Sequence, residues 1–157
     1  VYNIILKFNK LDFTELDKQL KETVLSTNFF IVSDKEKENS VLYINPHLEV
    51  IHSVYDWTNM QIVDNSIQLN SSYKKDNVIA IVPQLLFKGY NEVLLDELCV
   101  NIILKVSERP LFSLLLNELK QFFGDLYNPK NNSDFFKLIM IKFDYLISNR
   151  ILFVKLK

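Results

Sequence analysis

The sequence predicts an α+β fold in which a mostly antiparallel sheet in the N-terminal half packs against two to three C-terminal helices. Short runs of β-branched and aromatic residues dominate before about residue 85, whereas apolar residues at helical spacing dominate after it. Strands and helices that are segregated along a chain are typical of this class. The composition agrees, because 157 residues that are 48% hydrophobic suit one domain with a sizeable core.

The N-terminal elements follow from local signals. Residues 1–8 form a short β-branched and aromatic run, which predicts a strand. Asp12 and Glu15 have the spacing of a capping box, so a helix is expected to begin after Asp12. The inward face of that helix is predicted from apolar residues at helical spacing: Phe13, Leu16, Leu20 and Val24.

Five more strands are predicted in the middle of the chain, from apolar, β-branched and aromatic runs bounded by turn-forming residues: 29–32, 41–44, 48–57, 62–69 and 78–82. The charged stretch 33–39 and the polar stretch 70–77 predict loops between them. Because the run at 78–82 is apolar throughout, we expect that strand to be buried on both faces.

The C-terminal half predicts three helices and one terminal strand. The first helix, from Asn91 to about residue 106, has almost no polar stripe and is therefore expected to be buried. Pro110 marks the start of a second helix that ends near Gly124, and Ser133 is expected to cap a third. Residues 151–157 alternate between apolar residues and lysine. This pattern predicts either a strand lying beside residues 1–8 or the tail of the third helix.

The scarcity of glycine argues against nucleotide chemistry. The chain contains two glycines, Gly89 and Gly124, and neither belongs to a glycine-rich loop. A phosphate-binding loop places several glycines together so that the backbone can approach the phosphate. We therefore expect no nucleotide and no other cofactor, and we expect both glycines to mark helix boundaries.

Charge, cysteine content and hydropathy exclude further classes. The net charge of −1 argues that the domain as a whole does not bind polyanions. The single cysteine, Cys99, has no partner for an internal disulfide, which predicts a reducing compartment and hence an intracellular, cytoplasmic or nuclear location. No apolar run approaches the roughly 18 residues of a transmembrane helix. The chain begins with Val1, so we expect residues 1–157 to be a single domain excised from a longer chain.

Few residues support catalysis. His47 and His52, the only histidines, fall on opposite faces of the predicted strand, and no cysteine cluster supplements them as metal ligands. Cys99 lies in the most apolar predicted helix, where a small buried hydrophobe is expected. Asp96 and Glu97 are adjacent on the same helix and do not face each other across a cleft. We therefore expect no enzyme; a site assembled around His47 or His52 is the alternative.

Tyr55 and Trp57 are the strongest binding candidates. Both share a face with Ile51 on the predicted strand 48–57, and the other face of that strand is apolar too. Both apolar faces of such a strand must be buried, one against the helices of the domain and the other against a partner. Trp and Tyr are enriched in interface hot spots, which favours a partner at this face. The alternative is that Trp57 completes the core.

A second candidate surface is the outer face of the second C-terminal helix, delimited by Phe112 and Phe123. Together with the lack of catalytic groups, these surfaces predict a non-catalytic protein–protein interaction module, a subunit or scaffold of a larger intracellular hetero-oligomer.

The C-terminal segment offers a different function. The segment after Phe135 contains one acidic residue, Asp144, and five basic residues: Lys137, Lys142, Arg150, Lys155 and Lys157. Such a bias favours contact with nucleic acid or an anionic membrane. The scarcity of arginine disfavours direct reading of DNA, so nucleic acid is the weaker alternative. The competing interpretation is a solvated helix face.

Overall fold

The computed structural model describes residues 10–55, 61–63, 66–68, 74–84, 89–124 and 132–155. In chain order the elements are α1 (Phe13–Thr27), a 3₁₀ turn (Asn28–Phe30), α2 (Asp34–Glu38), β1 (Val41–Ile44), β2 (Glu49–Tyr55), β3 (Gln61–Val63), β4 (Ser66–Gln68), β5 (Lys74–Pro83), β6 (Tyr90–Leu95), α3 (Glu97–Glu108), α4 (Phe112–Gly124), α5 (Asn132–Ser148) and β7 (Leu152–Lys155). Strands β1 to β6 precede the three C-terminal helices, β7 follows them, and the described pairings are antiparallel, so the predicted α+β class is confirmed.

The described strands form three antiparallel sheets. The largest has the order β2-β5-β6, while β3 pairs with β4 and β1 pairs with β7. In the three-stranded sheet, Ala80 lies opposite both Val50 and Val93. Ala80 and Val93 belong to the hydrophobic core, so this face of the sheet packs against the helices.

The core forms between that sheet face and the inner faces of α3, α4 and α5. Its members are buried and apolar, and Phe112 of α4 lies among them with its ring 5.2 Å from that of Phe29 and 5.3 Å from that of Phe143. Both pairs meet edge to face, the arrangement that aromatic quadrupoles favour. None of the helices in the described ranges combines the length and apolar character that a bilayer crossing requires.

The β1–β7 ladder lies between the core and α1. Leu42 and its partner Val154 face the core, whereas Tyr43 and its partner Phe153 face the other way, with ring centroids 5.4 Å apart. Helix α1 contacts β7, and Glu22 of α1 accepts a hydrogen bond from Tyr43. Residues 151–157 thus contain the predicted terminal strand, and its described partner is β1. The predicted partner, residues 1–8, lies outside the described residues.

Helix α1 is rotated relative to the sequence prediction. Val24 is 58% exposed and Leu20 is also exposed, while Gln19 is only 2% exposed. Gln19 Nε2 donates to Asn45 Oδ1 at 3.0 Å, and this bond holds the polar side chain against the turn after β1. The prediction that Leu20 and Val24 point inward is wrong, although the helix itself is confirmed.

Two predictions between residues 29 and 39 are corrected. Residues 29–32 contain the end of a 3₁₀ turn instead of a strand, because Phe29 is fully buried against Phe30 and Phe112. The charged stretch that followed is not a loop but contains α2. Ser33 and Glu36 form a capping box there, which stabilises a short helix whose side chains are mostly solvated.

The β5–β6 region differs most from prediction. The predicted helix at 91–106 is a strand until Leu95 and a helix only from Glu97, because Asp96 caps α3 and Val93 pairs with Ala80. Gly89 therefore lies in a strand connection, where its carbonyl accepts a hydrogen bond from Gln84 N. It does not mark a helix boundary, whereas Gly124 does end α4 as expected.

Candidate functional site

A cleft of about 610 Å³ opens where one end of the three-stranded sheet meets α3 and α5. A row of paired residues crosses the sheet here: His52 of β2, Val78 of β5 and Leu95 of β6. Directly opposed residues of antiparallel strands point to the same face, and Leu95 belongs to the core. This row therefore faces the helices and forms one side of the cleft, and the first turn of α3 with the middle of α5 forms the other.

An ion pair between α3 and α5 lies in the cleft. Asp96 is the N-cap of α3; its Oδ1 accepts from Cys99 N at 2.8 Å, and its Oδ2 pairs with Nζ of Lys142. Burial tends to raise the pKa of Asp96, but the hydrogen bonds from Lys142 and the Cys99 backbone outweigh it and leave this pKa lowered. The bond to Asp96 raises the pKa of Lys142. Both groups are therefore charged at neutral pH.

The Cys99 thiol lies beneath this ion pair and is almost completely buried. Burial, followed by the hydrogen bond and negative charge of Asp96, raises the pKa of Cys99 to about 12. The nucleophilic form of cysteine is the thiolate, which is scarce at neutral pH when the pKa is this high. This environment is the opposite of one that activates a cysteine nucleophile.

Exposed apolar side chains lie at the cleft and on the adjoining part of α5. Leu94 of β6 is 52% exposed, Tyr145 of α5 is 37% exposed, and Ile141, one helical turn before Tyr145, is 62% exposed. The hydroxyl of Tyr145 donates to Leu94 O at 2.8 Å and joins the helix to the strand. We call Leu94, Ile141 and Tyr145 the apolar rim.

Leu94 also belongs to an apolar row on the sheet face that points away from the helices. Leu94 is paired with Ile79 of β5, and Ile79 is paired with Ile51 of β2. Side chains opposed in this way are in contact distance on one face. Ile51 and Ile79 are half-buried. The row therefore connects the predicted binding residue Ile51 to the cleft border.

The remaining predicted partner residues have different outcomes. The side chain of Tyr55 and the whole of Trp57 lie outside the described residues. Phe112 and Phe123 belong to the core, so neither offers surface to a partner; they lie on the inner face of α4 because helical spacing places them with the buried Leu115 and Leu119. The outer face of this helix presents Leu114 and Phe122 instead; these are exposed.

The five basic residues proposed for anionic surfaces are not equally available. Lys142 is paired with Asp96, and Lys137 lies 3.6 Å from Asp134. Five positions apart on α5, these two lysines point in directions that differ by roughly 140°. Arg150 is half-buried, its Nη1 has no partner among the described residues, and burial lowers its pKa. Lys155 is exposed on β7, and Lys157 lies outside the described residues.

The two histidines lie in different environments. His52 shares the cleft with Asp76, Asp96 and Glu97, but in the described part of the chain its ring forms no hydrogen bond to these carboxylates. His47 lies in the turn before β2, where its backbone N donates to Asn45 Oδ1 at 2.8 Å and its buried ring Nε2 has no partner in the part of the chain that the structure describes. Across the described ranges, no three His, Cys, Asp or Glu side chains are grouped to hold a metal ion.

The apolar rim was missed at the sequence level, although a signal for it exists. On helix α5, Leu138 packs against the core and is followed at the i+3 and i+7 positions by the exposed Ile141 and Tyr145, so an apolar stripe extends beyond the core face. Such a stripe on an already amphipathic helix indicates a second contact surface. The position of Leu94 beside it depends on the strand at 90–95, which the sequence did not predict.

Comparison of the chain with protein-family models, with curated proteins and with solved structures gives no match. The function is therefore argued from the cleft and its surroundings.

Proposed function

We propose that this protein is a non-catalytic interaction module that binds a partner protein at the cleft and the apolar rim. The observation that carries the proposal is the exposure of two large apolar side chains that line the cleft, Leu94 and Tyr145, and of Ile141, one helical turn from Tyr145. Contiguous exposed apolar surface on a folded domain commonly marks an interaction site. The row through Ile79 to Ile51 adds two half-buried apolar side chains to the sheet face that carries Leu94.

The chemistry of the cleft supports a binding role more than a catalytic one. Lys142 and Asp96 satisfy each other, and the Cys99 thiol is held protonated by burial and by Asp96. A general base needs a titratable group within hydrogen-bond reach of its substrate and usually a partner that orients it. His52 has no such orienting carboxylate among the described residues. The single cysteine supports an intracellular location for the proposed complex.

A second candidate function is an enzyme that uses His52. It is favoured by one observation, the presence of His52 in the same cleft as Asp76, Asp96 and Glu97. His52→Ala distinguishes the two functions. An enzyme that depends on His52 should lose its activity in this variant, whereas a binding module should still bind its partner, because the exposed apolar side chains Leu94, Ile141 and Tyr145 remain in place.

The test compares two matched serine substitutions, Ile141→Ser in the apolar rim and Ile31→Ser at an exposed position between the 3₁₀ turn and α2. Affinity purification from the source cell with each variant should recover the same partner with wild type and Ile31→Ser, and much less of it with Ile141→Ser. The recovered partner is then titrated in purified form. We expect at least about tenfold weaker binding for Ile141→Ser, as for an interface hot spot. Equal affinity of both variants would contradict the proposal.

A further inference from the structure

The charges around the cleft are unbalanced. Asp76 of β5 and Glu97 of α3 line it and are exposed, and neither has a basic partner among the described residues. The third carboxylate, Asp96, is neutralised by Lys142. Within the described residues, the cleft therefore combines apolar walls with two carboxylates that have no basic partner.

We propose that the cleft receives a lysine or arginine side chain of the partner protein, while an adjacent apolar residue of the partner packs on the apolar rim. This inference rests on the proposed function and names the chemistry of the partner at that site. Long basic side chains bury their aliphatic part on apolar surface and keep the charged group at a polar edge. Val78 and Val100 supply such a surface, and Asp76 and Glu97 supply the acceptors.

An acidic partner fits this site poorly. A carboxylate entering the cleft would compete with Asp96 for Lys142, the cation that α5 contributes here. It would also lie near Asp76 and Glu97, and like charges at close range oppose binding. An uncharged apolar segment could cover the apolar rim. It would, however, remove water from around both carboxylates without offering them a hydrogen-bond or charge partner, and this desolvation is unfavourable.

The direct test is selection from a random dodecapeptide display library on the wild-type protein. We expect the selected peptides to be enriched in Lys or Arg next to an apolar residue. A selected peptide should bind the double variant Asp76→Asn/Glu97→Gln about fivefold more weakly, as expected for two partly exposed ion pairs. Raising the salt concentration should weaken wild-type binding more than binding by the double variant, because exposed ion pairs are screened.

The matched control is Glu15→Gln/Glu38→Gln, which removes two exposed carboxylates from α1 and α2. It changes the net charge equally and should leave peptide affinity unchanged. Circular dichroism confirms that each double variant is folded. Selection of acidic or uncharged peptides, or of none, overturns the inference, and so does equal weakening by the two double variants.

The outcomes also separate this inference from the function on which it rests. Suppose that the cellular partner is lost with Ile141→Ser but binds Asp76→Asn/Glu97→Gln with wild-type affinity. This result would support the proposed interaction surface and contradict the proposal that the cleft receives a basic side chain. If Ile141→Ser has no effect on the partner, the proposed function itself fails.

Discussion

Gln19 Nε2 donates a hydrogen bond of 3.0 Å to Asn45 Oδ1, which ties α1 to the turn that follows β1. Asn45 is the centre of a buried polar network. Its Oδ1 also accepts from His47 N at 2.8 Å, and its Nδ2 donates to Arg150 O at 2.8 Å. One buried side chain thus joins α1, the β1–β2 turn and the turn before β7.

We expect Asn45→Ala to destabilise the fold by about 3 kcal/mol, because it leaves Gln19, the His47 amide and the Arg150 carbonyl without their partner. Urea denaturation followed by circular dichroism measures the change. Asn39→Ala is the control, since Asn39 is exposed and its side chain bonds only Lys35 O; it should cost much less. Similar losses for the two variants would show that the network contributes little.

This network explains why part of the fold was accessible from sequence and part was not. The helix at 13–27 was predicted correctly because capping and periodicity are local signals. Its rotation depends on Asn45, 26 positions away from Gln19, so periodicity alone selected Leu20 and Val24 as the inward residues.

The same limit applies to the candidate site. The strand containing Leu94 has few polar residues and continues directly into an apolar helix, so its sequence does not distinguish strand from helix. Only pairing with β5 decides it. Ile51 was recognised from its strand pattern, whereas its connection to the apolar rim depends on that pairing. The apolar stripe on α5 can be recognised in the sequence, whereas the sequence carries no signal that predicts strand β6 beside it.

The Asp96–Lys142 pair should make stability depend on pH in a defined direction. The pKa of Asp96 is lowered from its ordinary value of 3.8, so its contribution is present above pH 3.8 and is lost as pH falls through the folded-state pKa. The pKa of Lys142 is raised from 10.5, so its contribution is present below pH 10.5 and is lost as pH rises through the folded-state value.

Asp96→Asn tests this dependence, because asparagine still caps α3 but removes the charge. At pH 7 we expect a loss of about 0.5 kcal/mol, a small value because Asp96 is half-exposed. Thermal denaturation from pH 2 to pH 7 should show the wild-type advantage shrinking toward the acid end. A difference that is constant over this range would mean that the ion pair does not contribute.

The Cys99 thiol should be protected from alkylation in the folded protein. Its pKa of about 12 leaves little thiolate at pH 8, and the side chain is buried. We expect iodoacetamide to modify it about a thousandfold more slowly in buffer than in urea. Mass spectrometry over time measures both rates. Alkylation rates within tenfold of each other in the native and unfolded protein would contradict the buried, protonated state of the Cys99 thiol and would indicate that this thiol is reactive.

Two phenylalanines of α4 should respond in opposite ways to truncation. Phe112 is 2% exposed and packs against Phe29 and Phe143, whereas Phe122 is 57% exposed on the outer face. We expect Phe112→Ala to cost about 3–5 kcal/mol and Phe122→Ala less than about 1 kcal/mol in urea denaturation. If Phe112→Ala does not fold, Phe112→Leu provides a milder test and should still be the more destabilising of the pair. A larger loss from truncating Phe122 would reverse the assignment of the inner and outer faces of α4.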